Sequence, residues 1–217
     1  MEDQVLMRAA VMGLPYRPLK TIPVSDLKIG LCRTPHWEQA DEPTRAYVEG
    51  AAGWLSEAGA DVSDFDLPDG FDGLEEAFDV VSAFEFSRAL AYEWHNHRDK
   101  LSERVKTERL EFGWSLSYAA YRAGLAALQD YRNRFHASLA GYDLLITPSA
   151  NGEAPADLKT IGQAHFNRVW TALYSPGLSL PIFTGPLGLP IGLQVIGHLG
   201  DDERFLDAGD AVFRALG

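Results

Sequence analysis

The stretch from Tyr142 to Leu193 constrains the fold of this chain most strongly, because a strand, a helix and a hairpin follow one another within it. An apolar run that ends at Thr147-Pro148 is typical of a buried strand. After a loop, the spacing of apolar residues predicts a helix through 165–171. Glycine and proline then favour a hairpin that closes on 188–194. This order predicts an α/β fold: one mixed β-sheet flanked by helices on both faces.

An earlier stretch predicts that part of this sheet is parallel. Leu27–Cys32 is a short apolar run suited to a strand buried on both faces. Asp41-Glu42-Pro43 places acidic residues and a proline where a helix begins, and this helix is expected to run to Gly59. Ala60–Leu67 is the next strand. A strand, a helix and a strand in succession favour parallel pairing of the two strands.

Helical patterns account for most of the remaining chain. Met1–Gly13 has apolar residues at helical spacing and a glycine stop, and Asp201–Leu216 has one apolar face. Leu74–Ala140 is also helical, with breaks expected around Arg98–Leu101 and at Glu111–Gly113. Most aromatic side chains of this region are expected to pack on a sheet or on each other; they are Phe78, Phe84, Phe86, Tyr92, Trp94, Phe112, Trp114, Tyr118, Tyr121, Tyr131 and Phe135.

Length, charge and cysteine usage narrow the class of protein. A chain of 217 residues with 46% hydrophobic content is enough for one substantial core, so a single domain over residues 1–217 is expected. The net charge of −12 disfavours nucleic acid and anionic membranes as partners, because both require clustered basic residues. Cys32 lies alone in an apolar run, which indicates a small buried residue. Because no leader-like or membrane-spanning run occurs, a cytoplasmic location is expected.

Two short patterns imitate catalytic or metal sites. Ser25-Asp26-Leu27-Lys28 has the spacing at which one helical turn brings a lysine beneath a serine, but a strand is expected to follow here. His95 and His97 could chelate a metal from a strand. They lie in a helical stretch instead, where residues two apart point about 200° away from each other. One solvated and one packed histidine are therefore expected.

A third pattern imitates a calcium loop. Asp64, Asp66, Asp69 and Asp72 have suggestive spacing, but Pro68 and Asp69 stand where a ligand and the required glycine should be. The sequence contains no nucleophile elbow, phosphate loop or dinucleotide-binding fingerprint. The residues alone therefore predict no metal and no cofactor, and they identify no reaction centre.

Several segments resemble the amidase signature family. Asp143–Pro148 resembles the family's strand that enters the pocket region, and Gly188–Gly197 resembles its closing hairpin. The motif Phe166-Asn167-Arg168-x-Trp170-Thr171 lies between them in the same order and at natural spacing. Within the hairpin, Gly188 supplies a turn residue that tolerates positive φ, and Gly192 leaves room for a close backbone approach.

The resemblance implies that this chain is the C-terminal part of the amidase signature fold. Family members cleave carboxamides with a serine nucleophile, a second serine in a cis peptide and a lysine base. Those residues lie in a Gly- and Ser-rich stretch on the N-terminal side of the segment that Met1–Gly13 resembles. This sequence has no Ser-Ser and no Gly-Gly pair, so no catalytic residue is carried over. Its lysines also lack serine-rich neighbours; they include Lys20, Lys28, Lys100, Lys106 and Lys159.

The implied function is hydrolysis of carboxamide C–N bonds in a small molecule, with a missing N-terminal segment or partner chain supplying nucleophile, base and oxyanion hole. The implied substrate-binding residues are Trp170 and Tyr174, one turn apart on the helix that faces the reaction centre in the family. Packing is the alternative role for both. Two other interpretations stay open: a truncated product that folds poorly, and a non-catalytic accessory subunit. Because an incomplete sheet exposes an unpaired edge, a homo-oligomer stays open too.

Overall fold

The computed structural model describes residues 1–157 and 162–217. The chain divides into two compact units: Met1–Pro68 together with Phe135–Gly217, and Asp69–Arg134. The prediction of a single domain over residues 1–217 stays a prediction. Lys159, one of the lysines without serine-rich neighbours, lies outside the described residues.

The first unit contains a five-stranded sheet with the strand order β2-β1-β3-β5-β4. β1 pairs in parallel with β2 and β3, whereas β5 pairs antiparallel with β3 and β4. The parallel register of Lys28 with Asp61 confirms the predicted strand–helix–strand unit. The sheet is therefore mixed, as predicted. Its strands are β1 (Lys28–Leu31), β2 (Asp61–Asp64), β3 (Leu144–Pro148), β4 (Gly177–Thr184) and β5 (Pro190–Ile196).

The helices follow the predicted pattern closely at the two ends of the chain and less closely in the middle. In the described part of the chain they are α1 (Glu2–Met12), α2 (Glu42–Glu57), α3 (Leu74–Ala89), α4 (Ala91–Asn96), α5 (Glu103–Val105), α6 (Phe112–Ser115), α7 (Tyr118–Leu139), α8 (His165–Leu173) and α9 (Asp202–Leu216). None of these described helices is long and apolar enough to span a membrane.

Two helix boundaries show why the predictions succeeded. α1 ends where Gly13 adopts a left-handed conformation with φ of 64°, which glycine reaches without strain. α2 begins where the Asp41 side chain accepts a hydrogen bond from the backbone N–H of Thr44 at 2.8 Å. Pro43 lies in the first turn, where its missing N–H costs no hydrogen bond.

The sheet of the first unit is covered on both faces. On one face, α2 and α9 pack on the side chains of Leu193 and Val195 in a continuous apolar core. Successive strand residues point to opposite faces, so Gln194 lies on the other side. There its amide donates to Asn167 of α8 at 2.7 Å. The predicted arrangement of helices on both faces is confirmed.

The second unit contains one wrong prediction about helix breaks. A short 3-10 turn at Arg98–Lys100 confirms the first expected break. At the second, a π-helical turn over Lys106–Glu111 continues directly into α6. Gly113 marks a close contact instead, because a Cβ there would overlap the backbone carbonyl of Ala83 in α3. The glycine that suggested a helix end is required by tertiary packing.

Most aromatic residues of the helical region are at least partly buried, as expected. Phe135, which belongs to the first unit, is fully buried. Within the second unit, Phe84 and Tyr121 stack with ring centroids 4.3 Å apart. Three of the aromatic side chains nevertheless remain exposed, and these are Tyr92, Phe112 and Tyr118.

Candidate functional site

A cavity of about 520 Å³ lies at the end of the sheet where β3 finishes and β4 and β5 form their hairpin. Its wall is built from the loop after β3, the residues just before α8, and the hairpin strands. The lining is mostly apolar and rich in proline. The described lining residues are Ser149, Ala150, Asn151, Gly152, Glu153, Ala154, Pro155, Gly162, Gln163, Ser179, Pro181, Pro190, Ile191 and Gly192.

The loop after β3 is tied to the start of α2. The backbone N–H of Asp41 donates to the carbonyl of Asn151 at 2.6 Å, and the Asn151 side-chain amide donates to the carbonyl of Gln39 at 2.8 Å. Gly152 permits this contact, because a Cβ there would overlap the Asp41 carboxylate. The helix cap that begins α2 therefore also positions one wall of the cavity.

The Glu153 carboxylate fastens the same loop to the β4–β5 turn. It accepts hydrogen bonds from the backbone N–H of Leu187 at 2.9 Å and of Leu189 at 2.7 Å. Gly188 in this turn has φ of 83°, as the sequence predicts. At Gly185, a Cβ would overlap the Glu153 side chain. One carboxylate thus holds two walls of the cavity together.

The floor of the cavity is the backbone of Gly192. The Ser149 hydroxyl donates to the Gly192 carbonyl at 2.8 Å. A Cβ on Gly192 would overlap the Ser179 hydroxyl oxygen and lie 3.1 Å from that of Ser149. The sequence predicted that this glycine makes room for a close backbone approach. In the structure, the atoms that occupy the space are two serine hydroxyls.

Polar side chains continue from this floor toward α8. Gln194 donates to the Asn167 side-chain carbonyl, and the Asn167 amide donates to the carbonyl of Ser149 at 3.2 Å. The Gln194 Oε1 and the Thr147 Oγ1 are buried without a hydrogen-bond partner. An unpaired buried polar group costs about 1–3 kcal/mol, so these two atoms lower the stability of this face of the sheet.

Trp170 and Tyr174 do not share an exposed wall. Trp170 is only 2% exposed, and its ring centroid lies 5.9 Å from that of Phe135. Tyr174 is 57% exposed and ends α8 in a left-handed conformation with φ of 58°. The two side chains therefore do not lie on successive turns of one exposed helical face. Neither of them lines the cavity. Their contact with a substrate stays a prediction.

The structure does not form a catalytic or metal site from the short patterns at Ser25–Lys28 and His95–His97. Ser25 lies in a 3-10 turn and Lys28 begins β1, so no helical turn joins them. His95 packs on Trp114 and His97 on Tyr92, with ring centroids 5.4 and 5.5 Å apart. Among residues 1–157 and 162–217, no group of three or more histidine, cysteine or acidic side chains could hold a metal ion.

The single cysteine is buried in the first unit. Burial raises the pKa of the Cys32 thiol to about 12, because the thiolate would lose its hydration. The neutral thiol is a poor nucleophile. This residue therefore belongs to the packing of the sheet, as the sequence indicated.

Sequence reasoning missed the residues that shape the cavity, above all Glu153 and Ser149. Their contacts are 34 and 43 positions away along the chain, so no local periodicity reveals them. The sequence shows glycines at 185 and 192, but it does not show which side chains pack against them.

The family model for Amidase matches residues 7–206, and the chain belongs to this family. One component of the glutamyl-tRNA(Gln) amidotransferase from Rhodospirillum rubrum is 29% identical over 220 residues, a match that covers 88% of this chain and 44% of that protein. Indoleacetamide hydrolase from Agrobacterium vitis is 25% identical, with 99% of this chain and 52% of that protein covered. The chain therefore spans about half the length of these relatives.

Solved structures support the same fold. A crystal structure of an amidase superposes with a TM-score of 0.85 at 24% identity, over 99% of this chain and 51% of that one. At this identity the likeness concerns the fold alone. The predicted family resemblance and the predicted fold class are both confirmed.

Proposed function

We propose that this chain is one part of a hydrolase that cleaves carboxamide C–N bonds in small molecules. Polypeptide outside these 217 residues would supply the nucleophile, the base and the oxyanion hole. The observation that carries the proposal is the match of residues 7–206 to the Amidase family by a chain that spans about half the length of its relatives.

The distribution of serine and lysine supports an external source for the reactive groups. A serine nucleophile requires a base within hydrogen-bond reach. In the described part of the chain, Lys28 lies 4.0 Å from Asp61, and no lysine is hydrogen-bonded to a serine hydroxyl. The whole sequence also lacks adjacent serines and adjacent glycines.

The cavity supports a role for this chain in holding the substrate. Its volume of about 520 Å³ falls within the usual range of small-molecule sites, roughly 300–1,000 Å³. Apolar walls beside two serine hydroxyls suit an uncharged amide with an apolar substituent. Of the two residues predicted to bind substrate, Tyr174 is exposed but does not line this cavity, so it would contact substrate only outside it. The buried Trp170 would act by holding α8 in place.

Complementation tests the proposal. The 217-residue chain is mixed with the portion of indoleacetamide hydrolase from Agrobacterium vitis that it does not match, and ammonia release from indoleacetamide is measured. We expect no release by the chain alone and release by the mixture. Ser149→Ala should then raise KM, because its hydroxyl lines the cavity. The matched control is Ser138→Ala, which removes a hydroxyl that donates to the carbonyl of Phe135.

Two other outcomes of the complementation experiment would count against the proposal. Turnover by the purified chain alone would overturn the proposal. A mixture that forms a stable complex but hydrolyses neither indoleacetamide nor other simple carboxamides would favour the alternative, a non-catalytic accessory subunit.

A further inference from the structure

Ser149 presents a hydrogen-bond acceptor to the cavity. Its hydroxyl oxygen lies 2.8 Å from the carbonyl oxygen of Gly192, and a carbonyl oxygen only accepts hydrogen bonds. A serine hydroxyl has one proton, and Ser149 uses it in this bond. The remaining lone pairs of its oxygen are therefore available to a ligand group that donates, such as an N–H.

The position of this acceptor is fixed by two further hydrogen bonds. The backbone carbonyl of Ser149 accepts from the side-chain amide of Asn167 at 3.2 Å. The side-chain carbonyl of Asn167 in turn accepts from the buried Gln194 at 2.7 Å. Ser149 is thus held through both its main chain and its side chain before a ligand arrives, which lowers the entropic cost of binding.

Ser179 brings a second hydroxyl to the same part of the cavity. A methyl group on Gly192 would overlap the Ser179 hydroxyl oxygen and lie 3.1 Å from that of Ser149, so the two oxygens border one small space. Within residues 1–157 and 162–217, no hydrogen bond uses the Ser179 hydroxyl. A hydroxyl proton rotates to suit its partner. Ser179 can therefore donate to a ligand, whereas Ser149 can only accept.

The charge of the cavity favours a neutral ligand. Glu153 is the one charged residue among the described residues that line it, and the whole chain has a net charge of −12. A ligand carboxylate would meet charge of its own sign, and the described lining offers no cationic side chain to pair with it.

We propose that Ser149 and Ser179 together recognise a neutral carboxamide: Ser149 accepts from the amide N–H, and Ser179 donates to the amide carbonyl. This inference rests on the proposed function and names the group by which the substrate is held. A carbonyl oxygen has two lone pairs, so the bond from Ser179 leaves one for an external oxyanion hole. An ester has the carbonyl without the N–H, and a carboxylate has a charge and no N–H. The pair would therefore hold the amide substrate and release the acid product.

The test measures the binding of three probes to the full 217-residue chain by ligand-observed NMR titration. The probes are indoleacetamide, methyl indoleacetate and indoleacetate. We expect the amide to bind about tenfold more tightly than the methyl ester, because the ester leaves the Ser149 acceptor unpaired. Indoleacetate should bind most weakly. Equal affinities for amide and ester, or no measurable binding of the amide, would overturn the proposal.

Two substitutions separate the roles of the hydroxyls. Ser149→Ala should weaken binding of the amide about tenfold and leave the ester unchanged, because only the amide has an N–H to donate. Ser179→Ala should weaken both, because both have the carbonyl. Ser138→Ala is the matched control, since its hydroxyl donates to the carbonyl of Phe135 and is not part of the described lining. Circular dichroism and melting check that each variant folds. Equal losses for amide and ester in Ser149→Ala would overturn the role of Ser149.

Because these probes are bound by the chain alone, the inference and the proposed function can fail separately. Amide-selective binding by the chain, with no hydrolysis after addition of the unmatched portion of the Agrobacterium vitis enzyme, would support the inference and count against the proposed function. Hydrolysis of indoleacetamide by that mixture, with equal binding of amide and ester by the chain, would overturn the inference and leave the proposed function standing.

Discussion

The two faces of strand β5 are stabilised in different ways. Leu193 and Val195 point into an apolar core shared with α2 and α9. Gly192 and Gln194 point to the opposite face, where serine hydroxyls and an amide network approach the backbone. The first face derives its stability from packing. The second face borders the cavity, whose mostly apolar lining includes the hydroxyls of Ser149 and Ser179.

Trp170 provides the largest expected effect on the polar face. Truncation to alanine should cost about 3–5 kcal/mol of unfolding free energy, because a buried aromatic ring leaves a cavity. Tyr174→Ala is the control, with an expected change within about 0.5 kcal/mol, since its side chain is exposed. Urea unfolding measures both. A Trp170→Ala variant that unfolds like the original chain but loses turnover in the complementation assay would place Trp170 at the substrate.

A pair of neighbouring substitutions compares the two faces directly. Leu193→Ala should cost about 2–5 kcal/mol, because its side chain is fully buried in the apolar core. Gln194→Met should change stability by less than about 1.5 kcal/mol. It removes the unpaired Gln194 Oε1, although Asn167 loses its donor. Equal losses in thermal or urea unfolding would show that the polar face is packed as tightly as the apolar one.

The floor of the cavity can be probed with Gly192→Ala. The added methyl group would overlap the Ser179 hydroxyl, and we expect a loss of about 1–3 kcal/mol. Ser179→Ala in the same chain should recover most of this loss, because it removes the overlapping oxygen. A double-mutant cycle measured by chemical unfolding reports the coupling. If the two effects simply add, the hydroxyl does not occupy the space above Gly192.

The smallest effect is expected at Glu153. Glu153→Gln replaces one carboxylate oxygen by a donor that faces backbone N–H groups, and we expect a loss of about 1 kcal/mol because the site is partly exposed. Exchange of the Leu187 and Leu189 amides should accelerate, while amides in the core of β5 remain unchanged. Glu108→Gln, at an exposed ion pair with Arg104, serves as the matched control. Unaltered exchange at Leu187 would mean that the turn holds its shape without the carboxylate.

Local patterns predicted much of the fold. Gly13 and Asp41 marked the end of α1 and the start of α2, because helix termini are set by the nearest residues. The strand β3 and the turn at Gly188 were also predicted correctly, because both are set by neighbouring residues. The candidate site was much less predictable: Trp170 was expected either at the pocket wall or in the packing. It is buried, and its contact with substrate stays a prediction.

The sequence by itself determined the class of fold, because periodicity, caps and turn residues act over a few neighbouring positions. Its motifs at 143–148, 166–171 and 188–197 also carried the resemblance to the family. It also determined that this chain carries no adjacent serines or glycines. Only the tertiary structure decided that Glu153 joins two walls of a cavity, that Gly113 marks a helix contact, and that β4 leaves one edge open. These features depend on contacts between segments that are dozens of residues apart in sequence. Such contacts are determined by packing and hydrogen bonding in the folded chain, and local sequence patterns do not reveal them.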